Sequence, residues 1–213
     1  MNLSFSTRGW GDLSWEELLD AALDMKFTGI EVYNLFKFPE LTDRGGPFHK
    51  HKIAATIRQL RDLKLSIPCL DTSMDLSLSR ENGDVIADMM RIARDLQVPY
   101  VVGWASSDKE DMIRANLDRL LPLAENSGIC LLIKTSGIYA DTGRLRTMLE
   151  SFASDYMGAL WDMHAGGASF NALYLLAVGF ICGTLINTIM RNNVVTAFIL
   201  STAATLIYNI FYW

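Results

Sequence analysis

The distribution of charge along the chain limits its possible folds more than any other feature of the sequence. In the 213-residue chain, the last fifty positions, 164–213, contain one charged residue, Arg191. The other 18 basic residues and all 24 acidic residues lie in residues 1–163, which carry a net charge of −6. A water-exposed surface needs charged side chains, so a fifty-residue stretch with one charge requires another solvent or an extensive cover. We therefore expect two dissimilar parts.

Short apolar runs alternate with helical patterns in the first part. Six such runs occur, and each begins 27 to 37 residues after the previous one. Segments with the 3.6-residue period of amphipathic helices separate them. Capping boxes predict the start of the first helix at Ser14 and Glu17 and of the fourth at Ser107 and Glu110. The predicted strands are 2–6, 29–33, 66–72, 99–104, 130–135 and 157–162.

This alternation predicts a parallel sheet covered by helices. Such a sheet either stays open and doubly wound or closes into a (β/α)8 barrel. The first strand is followed by Thr7-Arg8-Gly9-Trp10 instead of a glycine-rich phosphate loop, which disfavours a nucleotide-binding doubly wound sheet. Polar residues follow several different strands, as in barrel enzymes. We therefore predict, for residues 1–163, an incomplete TIM-type (β/α) barrel of about six strand–helix units, followed by an apolar helical hairpin.

Polar and aromatic residues lie at or near the carboxyl ends of the predicted strands. Carboxylates and a histidine that converge on one barrel face can hold a divalent metal, which polarises a sugar carbonyl or hydroxyl while a carboxylate moves the proton. Each residue also has a structural explanation, because the carboxylates can pair with basic neighbours and the tryptophan can belong to the core. The candidates are Glu31, Asp71, Trp104, Lys134, Asp162 and His164.

The segments around these residues resemble the xylose isomerase-like sugar phosphate isomerase/epimerase family. The resemblance covers residues 1 to about 164 and implies a TIM barrel that acts on a small sugar or sugar phosphate with a divalent metal, Mn, Mg or Co. The similar segments are Gly29-Ile-Glu-Val-Tyr33, Ile67-Pro-Cys-Leu-Asp-Thr-Ser73, Leu131-Leu-Ile-Lys-Thr-Ser-Gly137 and Leu160-Trp-Asp-Met-His164.

The metal ligands of that family are a Glu on strand five, an Asp on strand six, a His on strand seven and a Glu on strand eight. Asp162 matches the strand-six Asp, whereas Lys134 stands at the strand-five Glu position and would repel a metal. The histidine that usually comes three residues after the strand-six Asp falls on Ala165, and His164 is one position early. Strands seven and eight have no counterpart. The resemblance therefore implies an incomplete site and weak or absent activity of the chain alone.

The same resemblance suggests a role for each candidate. Asp162 is the expected metal ligand, and Glu31 and His164 are the expected proton-transfer groups. The expected substrate-binding residues are Asp71, Trp104 and Lys134. Six strands without closure would also leave two open sheet edges, through which self-association is expected.

The last fifty residues contain two long uncharged runs after a small-residue hinge at 164–169. Residues 170–190 and 194–213 are uncharged, and each run is long enough to cross ~30 Å of hydrocarbon as a helix. We predict that 170–213 is a two-span membrane hairpin that contacts a lipid bilayer or hydrophobic partner helices. The alternative is a buried helical hairpin that replaces the last barrel units.

Residues 166–213 resemble the carboxyl-terminal spans of the rod shape-determining protein MreD, in segments that include Gly179-Phe-Ile-Cys-Gly183 and Arg191-Asn-Asn. This resemblance implies a membrane-anchored interaction module as an alternative to the enzyme. Neither family ordinarily carries the other, so a natural fusion, a mis-assembled reading frame and a deliberate chimera without native function are all compatible with the sequence.

These patterns also predict a location and exclude one class of partner. We expect a cytoplasmic domain tethered to the inner membrane by the hairpin at 170–213. The net charge of the whole chain is −5, and a nucleic-acid-binding surface would usually leave a basic stripe. We therefore expect no nucleic-acid partner.

Overall fold

In the computed structural model of the chain, residues 2–162 are described, and strands and helices alternate through them. The strands are β1 (Ser4–Ser6), β2 (Gly29–Tyr33), β3 (Cys69–Asp75), β4 (Tyr100–Trp104), β5 (Cys130–Lys134) and β6 (Met157–Leu160). The helices are α1 (Trp15–Asp24), α2 (Pro39–Thr42), α3 (Ile53–Asp62), α4 (Arg80–Leu96), α5 (Glu110–Ser127) and α6 (Thr142–Phe152). Short 3-10 turns cover Thr7–Gly9, Leu35–Lys37 and Gly137–Ala140. The predicted hinge at 164–169 and hairpin at 170–213 lie outside the described residues.

The strand order distinguishes between the two sheet types that the sequence allowed. The six strands lie side by side in chain order, from β1 to β6, and every neighbouring pair is parallel. A doubly wound sheet reverses its strand order at a switch point, and no reversal occurs between β1 and β6. The described residues therefore form a barrel wall of six strands, the first five of which are each followed by a helix, and this confirms the predicted incomplete TIM-type barrel.

The core lies between the outer face of this wall and the helices. Side chains alternate along a strand, so every second residue faces the helices. In the core, apolar strand residues pack with helix residues such as Leu19, Ile86 and Leu117. The opposite, inner face carries the residues in between, which are polar or aromatic near the carboxyl ends of the strands. The strand residues that face the helices and are fully buried are Ile30, Val32, Leu70, Val101, Leu131 and Ile133.

One of the two predicted capping boxes is present. At the start of α1, the Glu17 N–H donates to Ser14 Oγ at 3.3 Å, and the Ser14 N–H donates to Glu17 Oε2 at 2.8 Å. The second predicted box is wrong, because α5 begins at Glu110 with Lys109 as its cap residue and no side-chain cap bond. Ser107 instead uses its hydroxyl to donate to Ser77 Oγ, at 3.0 Å, in the preceding strand–helix loop.

The predicted location, a domain tethered to the inner membrane, is wrong. Within residues 2–162, no helix is both long and apolar enough to cross a membrane. The physical reason is that these helices are amphipathic: the longest, α5, faces the core with residues such as Leu117 and Leu120 and carries charged residues such as Asp118 and Arg119 between them. Residues 170–213, on which the membrane prediction depended, are outside the described part of the chain.

Candidate active site at the carboxyl ends of the strands

An ion pair between β3 and β5 lies on the inner face, near the carboxyl ends of the strands. The Lys134 ammonium donates to Asp71 Oδ2, and the two side chains are 15% and 2% exposed. β4 lies between the two strands, so the lysine side chain extends across a full strand to reach the carboxylate. Two strand spacings separate the backbones, about 9.6 Å. The pair therefore joins non-neighbouring strands through side chains alone.

Ser73 joins this ion pair to two aromatic residues. Its N–H donates to Asp71 Oδ1 at 2.9 Å, and its carbonyl accepts from Trp104 Nε1 at 3.4 Å. Its hydroxyl lies 2.8 Å from the Tyr33 hydroxyl. The backbone of Ser73 is left-handed, with φ of +56°, and the β3–β4 register shifts between Asp71 and Asp75. Strained conformations of this kind concentrate at functional sites, which makes this bulge a candidate site on structural grounds.

Glu31 and Cys69 lie on the same face, in the neighbouring strands β2 and β3. The Cys69 thiol donates to Glu31 Oε2 at 3.6 Å. Burial raises the pKa of the Cys69 thiol, and the negative charge of Glu31 raises it further. Because thiolates, and not thiols, are nucleophiles and metal ligands, Cys69 is a hydrogen-bond donor here. The thiol thus helps to orient the Glu31 carboxylate.

Asp75 connects the loops that follow β3 and β4. Its Oδ1 accepts from the Ser77 N–H at 2.8 Å and the Ser77 hydroxyl at 2.5 Å, and its carboxylate oxygens each lie 3.2 Å from the Ser106 nitrogen. Burial by itself raises the pKa of the Asp75 carboxyl, but hydrogen bonds from Ser106 and Ser77 outweigh it and leave the pKa below its ordinary value. Asp75 therefore fixes two of the loops that surround the site.

The structure brings together most of the residues that the sequence selected. Asp71 and Lys134 pair directly, and Trp104 reaches them through Ser73. Glu31 lies next to Cys69, whose pKa also responds to the charges of Asp71 and Lys134. Asp162 follows β6, where its N–H donates to Thr135 Oγ1 at 2.8 Å. His164 lies outside the described residues. The roles suggested for all six remain predictions.

Three residues of the site were missed by the sequence analysis: Tyr33, Cys69 and Ser73. Each lies two residues from a selected residue on the same strand, Tyr33 after Glu31 and the other two on either side of Asp71. Side chains alternate between the faces of a strand, so residues two apart share a face. This two-residue period was the sequence signal that could have identified the three residues.

The donor set of the described residues does not fit a divalent metal. Residues 2–162 contain no group of three or more His, Cys, Asp or Glu side chains that could hold a metal ion. The buried carboxylate of Asp71 already has a cation, the Lys134 ammonium, as its partner. A divalent ion at that carboxylate would face a positive charge at contact distance, which is strongly unfavourable in a buried site. The described residues therefore do not form a divalent-metal site.

Comparisons with known proteins identify the fold. No protein-family model matches the chain, and no curated protein matches its sequence. A xylose isomerase domain protein from Planctomyces limnophilus is similar in structure, with 15% identity, a TM-score of 0.55, and coverage of 69% of this chain and 58% of that one. A D-psicose 3-epimerase crystallised in the presence of D-fructose has 11% identity, a TM-score of 0.59, and coverage of 76% and 64%. An L-ribulose 3-epimerase has 17% identity, a TM-score of 0.57, and coverage of 76% and 61%.

These structural similarities support the fold but not the predicted partners. They give no support to the resemblance of residues 166–213 to MreD, to lipid or helix partners, to self-association or to a chimera. Other similar structures are a zinc-bound IOLI protein and a xylose isomerase-like TIM barrel protein from Mycobacterium smegmatis in complex with magnesium. The chain spans 58% to 64% of the length of the first three structures. The described part of the chain therefore has the fold of the xylose isomerase-like TIM barrels over about six of their strand–helix units.

Proposed function

We propose that the barrel wall binds a small sugar or sugar phosphate at the carboxyl ends of its strands, without a divalent metal. The observation that carries this proposal is the arrangement around Ser73, which connects the Asp71–Lys134 pair with Tyr33 and Trp104. A sugar presents hydroxyl groups and apolar C–H faces, which suit charged donors and acceptors beside aromatic rings. The epimerases with a similar fold make a ketose the first ligand to test.

The proposed roles follow from the contacts of each residue. Asp71 accepts hydrogen bonds from sugar hydroxyls, Lys134 donates to a carbonyl or phosphate oxygen, and Trp104 packs against the sugar ring. Glu31, oriented by the Cys69 thiol, takes the part of the proton-transfer group. We expect any isomerisation or epimerisation to be weak, because residues 2–162 supply six of the eight strands of a barrel and their donor set does not fit a metal.

The test is calorimetric titration of the full chain with D-fructose and with D-psicose, in buffers with and without EDTA. We expect binding that EDTA does not change. Lys134→Met removes the ammonium and should abolish binding, whereas Lys134→Arg keeps a positive charge and should retain it. Lys64→Met is the matched control. Lys64 is exposed and lies between α3 and β3, on the side where the strands begin, away from their carboxyl ends.

Two results would overturn this proposal. The first is the absence of heat with either ketose when far-UV circular dichroism shows a folded chain. The second is binding that disappears with EDTA and returns with Mn²⁺, because the site would then hold a metal.

A further inference from the structure

The inner face presents the amine of Lys134 next to the buried carboxylate of Asp71. Lys134 is 15% exposed and Asp71 is 2% exposed, so the pair is largely removed from water and one side of the lysine remains accessible. Asp71 also accepts the Ser73 N–H at 2.9 Å, which fixes its carboxylate in place. Desolvation disfavours the ammonium form of a lysine, and a carboxylate in contact with it can accept the proton that the amine must lose before it adds to a carbonyl.

We propose that Lys134 forms an imine with the carbonyl group of an open-chain ketose or aldehyde, and that Asp71 carries the protons of this reaction. This inference rests on the proposed function, because the sugar must first bind at the strand ends. The ligand class is thereby narrowed to sugars that have a free carbonyl group in their open-chain form. Glycosides, whose carbonyl carbon is blocked, are excluded from this reaction.

The proton balance needs only these two residues. Lys134 transfers a proton to the Asp71 carboxylate, and the neutral amine adds to the carbonyl carbon, which forms the C–N bond. The carbonyl oxygen takes the proton from Asp71, and the carboxylate then removes a second proton from nitrogen, which leaves a neutral carbinolamine. The C–O bond breaks, the hydroxyl leaves as water with the proton from Asp71, and Lys134 is left as a protonated imine. No oxidant or reductant takes part.

Burial makes the first proton transfer feasible. A buried ion pair has lost the hydration that stabilises both charges, whereas the neutral amine–acid pair pays little for the same burial. The protonated imine withdraws electrons from the adjacent carbon and so acidifies its C–H bond. Glu31 on the same face is the group that would accept this proton, without a metal.

Borohydride trapping tests the imine directly. The full chain is incubated with dihydroxyacetone or D-fructose and reduced with sodium borohydride, and the modified lysine is located by peptide mass mapping. Lys134 should be modified about tenfold faster than the exposed Lys64, because the site holds the carbonyl next to the amine. Lys134→Arg should lose the adduct at this position, since a guanidinium does not form an imine, and far-UV circular dichroism should show that this variant is folded.

The outcomes separate this inference from the proposed function. Calorimetric binding of D-fructose together with equal modification of Lys134 and Lys64 would overturn the imine and leave sugar binding intact. The absence of both binding and a Lys134 adduct would overturn both proposals. An adduct that persists at Lys134 when the carbonyl ligand is replaced by methyl fructoside would also overturn the imine, because that glycoside has no free carbonyl.

Discussion

The Lys134 ammonium reaches across β4 to the carboxylate of Asp71, and this pair links strands that share no backbone hydrogen bonds. The two members differ in burial: the Asp71 side chain is 2% exposed and that of Lys134 is 15% exposed. Loss of the lysine should therefore cost more stability than loss of the carboxylate. The lysine can move its charge toward water on a flexible stem, whereas the carboxylate cannot. This asymmetry predicts unequal effects of substitution.

Lys134→Met should destabilise the fold more than Asp71→Asn. Removal of the lysine leaves a buried carboxylate without a cation, which costs about 3 kcal/mol of unfolding free energy. Asn at position 71 keeps the shape and an acceptor for Ser73, and the loss should be about 1 kcal/mol. Urea unfolding followed by circular dichroism measures both values.

The double variant Lys134→Met/Asp71→Asn is the control for this prediction. It removes both charges at once, so it should be more stable than Lys134→Met alone. Losses that simply add would show that the two side chains act independently and would contradict a buried, coupled pair.

Most of the fold was predictable from local patterns, and the exceptions have identifiable causes. The third strand was predicted at 66–72, but β3 runs from Cys69 to Asp75. Ser66 makes an isolated bridge with Gly29 before Pro68, which has no N–H to donate, so the continuous strand begins after the proline. It extends past Thr72 through a bulge at which Ser73 has a left-handed conformation. Hydrophobic periodicity carries no information about such a residue.

The site was predictable as a set of strand ends but not as a set of contacts. Asp71, Trp104 and Lys134 were selected because parallel strands end at a common edge. The pairing of Asp71 with Lys134 joins residues 63 positions apart and depends on β4 as the intervening strand. The function of Ser73 depends on its backbone conformation. Neither property is encoded in spacing along the chain.

Stability should fall at acid pH through Asp75. The pKa of this carboxyl is lower in the folded chain than its ordinary value, so the folded state favours the ionised form. The contribution is therefore present above the unfolded aspartate pKa of about 3.9 and is lost as the pH falls through the folded value. Asp75→Asn should cost about 2 kcal/mol at neutral pH, since charged hydrogen bonds to Ser77 and Ser106 are lost. Urea unfolding at pH 7 and at successive values below pH 4 measures the effect.

Asp88→Asn is the matched control for the acid dependence. Asp88 is about half exposed, in an ion pair with Arg91 on the surface of α4. Its substitution should change stability by less than about 0.5 kcal/mol, because surface ion pairs contribute little. Equal slopes below pH 4 for the parent chain and Asp75→Asn would show that Asp75 is not the responsible group.

Two left-handed glycines allow a steric prediction. Gly128 and Gly137 have φ of +66° and +60°, so alanine is strained at both. Nothing lies within 4 Å of a Cβ at Gly128, whereas a Cβ at Gly137 would collide with the Ala105 carbonyl oxygen. Gly128→Ala should cost about 1 kcal/mol for its conformation alone, and Gly137→Ala about 3 kcal/mol with the added collision. Thermal and urea unfolding of the two variants measure the difference. Equal losses of stability would contradict the close approach of Gly137 to the Ala105 carbonyl oxygen.

Substitution of Trp104 should separate stacking from hydrogen bonding in sugar recognition. Trp104→Ala removes the ring and should weaken D-fructose binding about tenfold, which corresponds to about 1.4 kcal/mol. Trp104→Phe keeps an aromatic surface and loses only the indole N–H that Ser73 accepts, so its affinity should fall less. Tyr100→Ala is the matched control, because Tyr100 starts the same strand, shares the face of Trp104 and is 42% exposed. Calorimetry of the three variants decides the placement: similar losses from Trp104→Ala and Tyr100→Ala would mean that the ligand does not lie at the carboxyl end of β4.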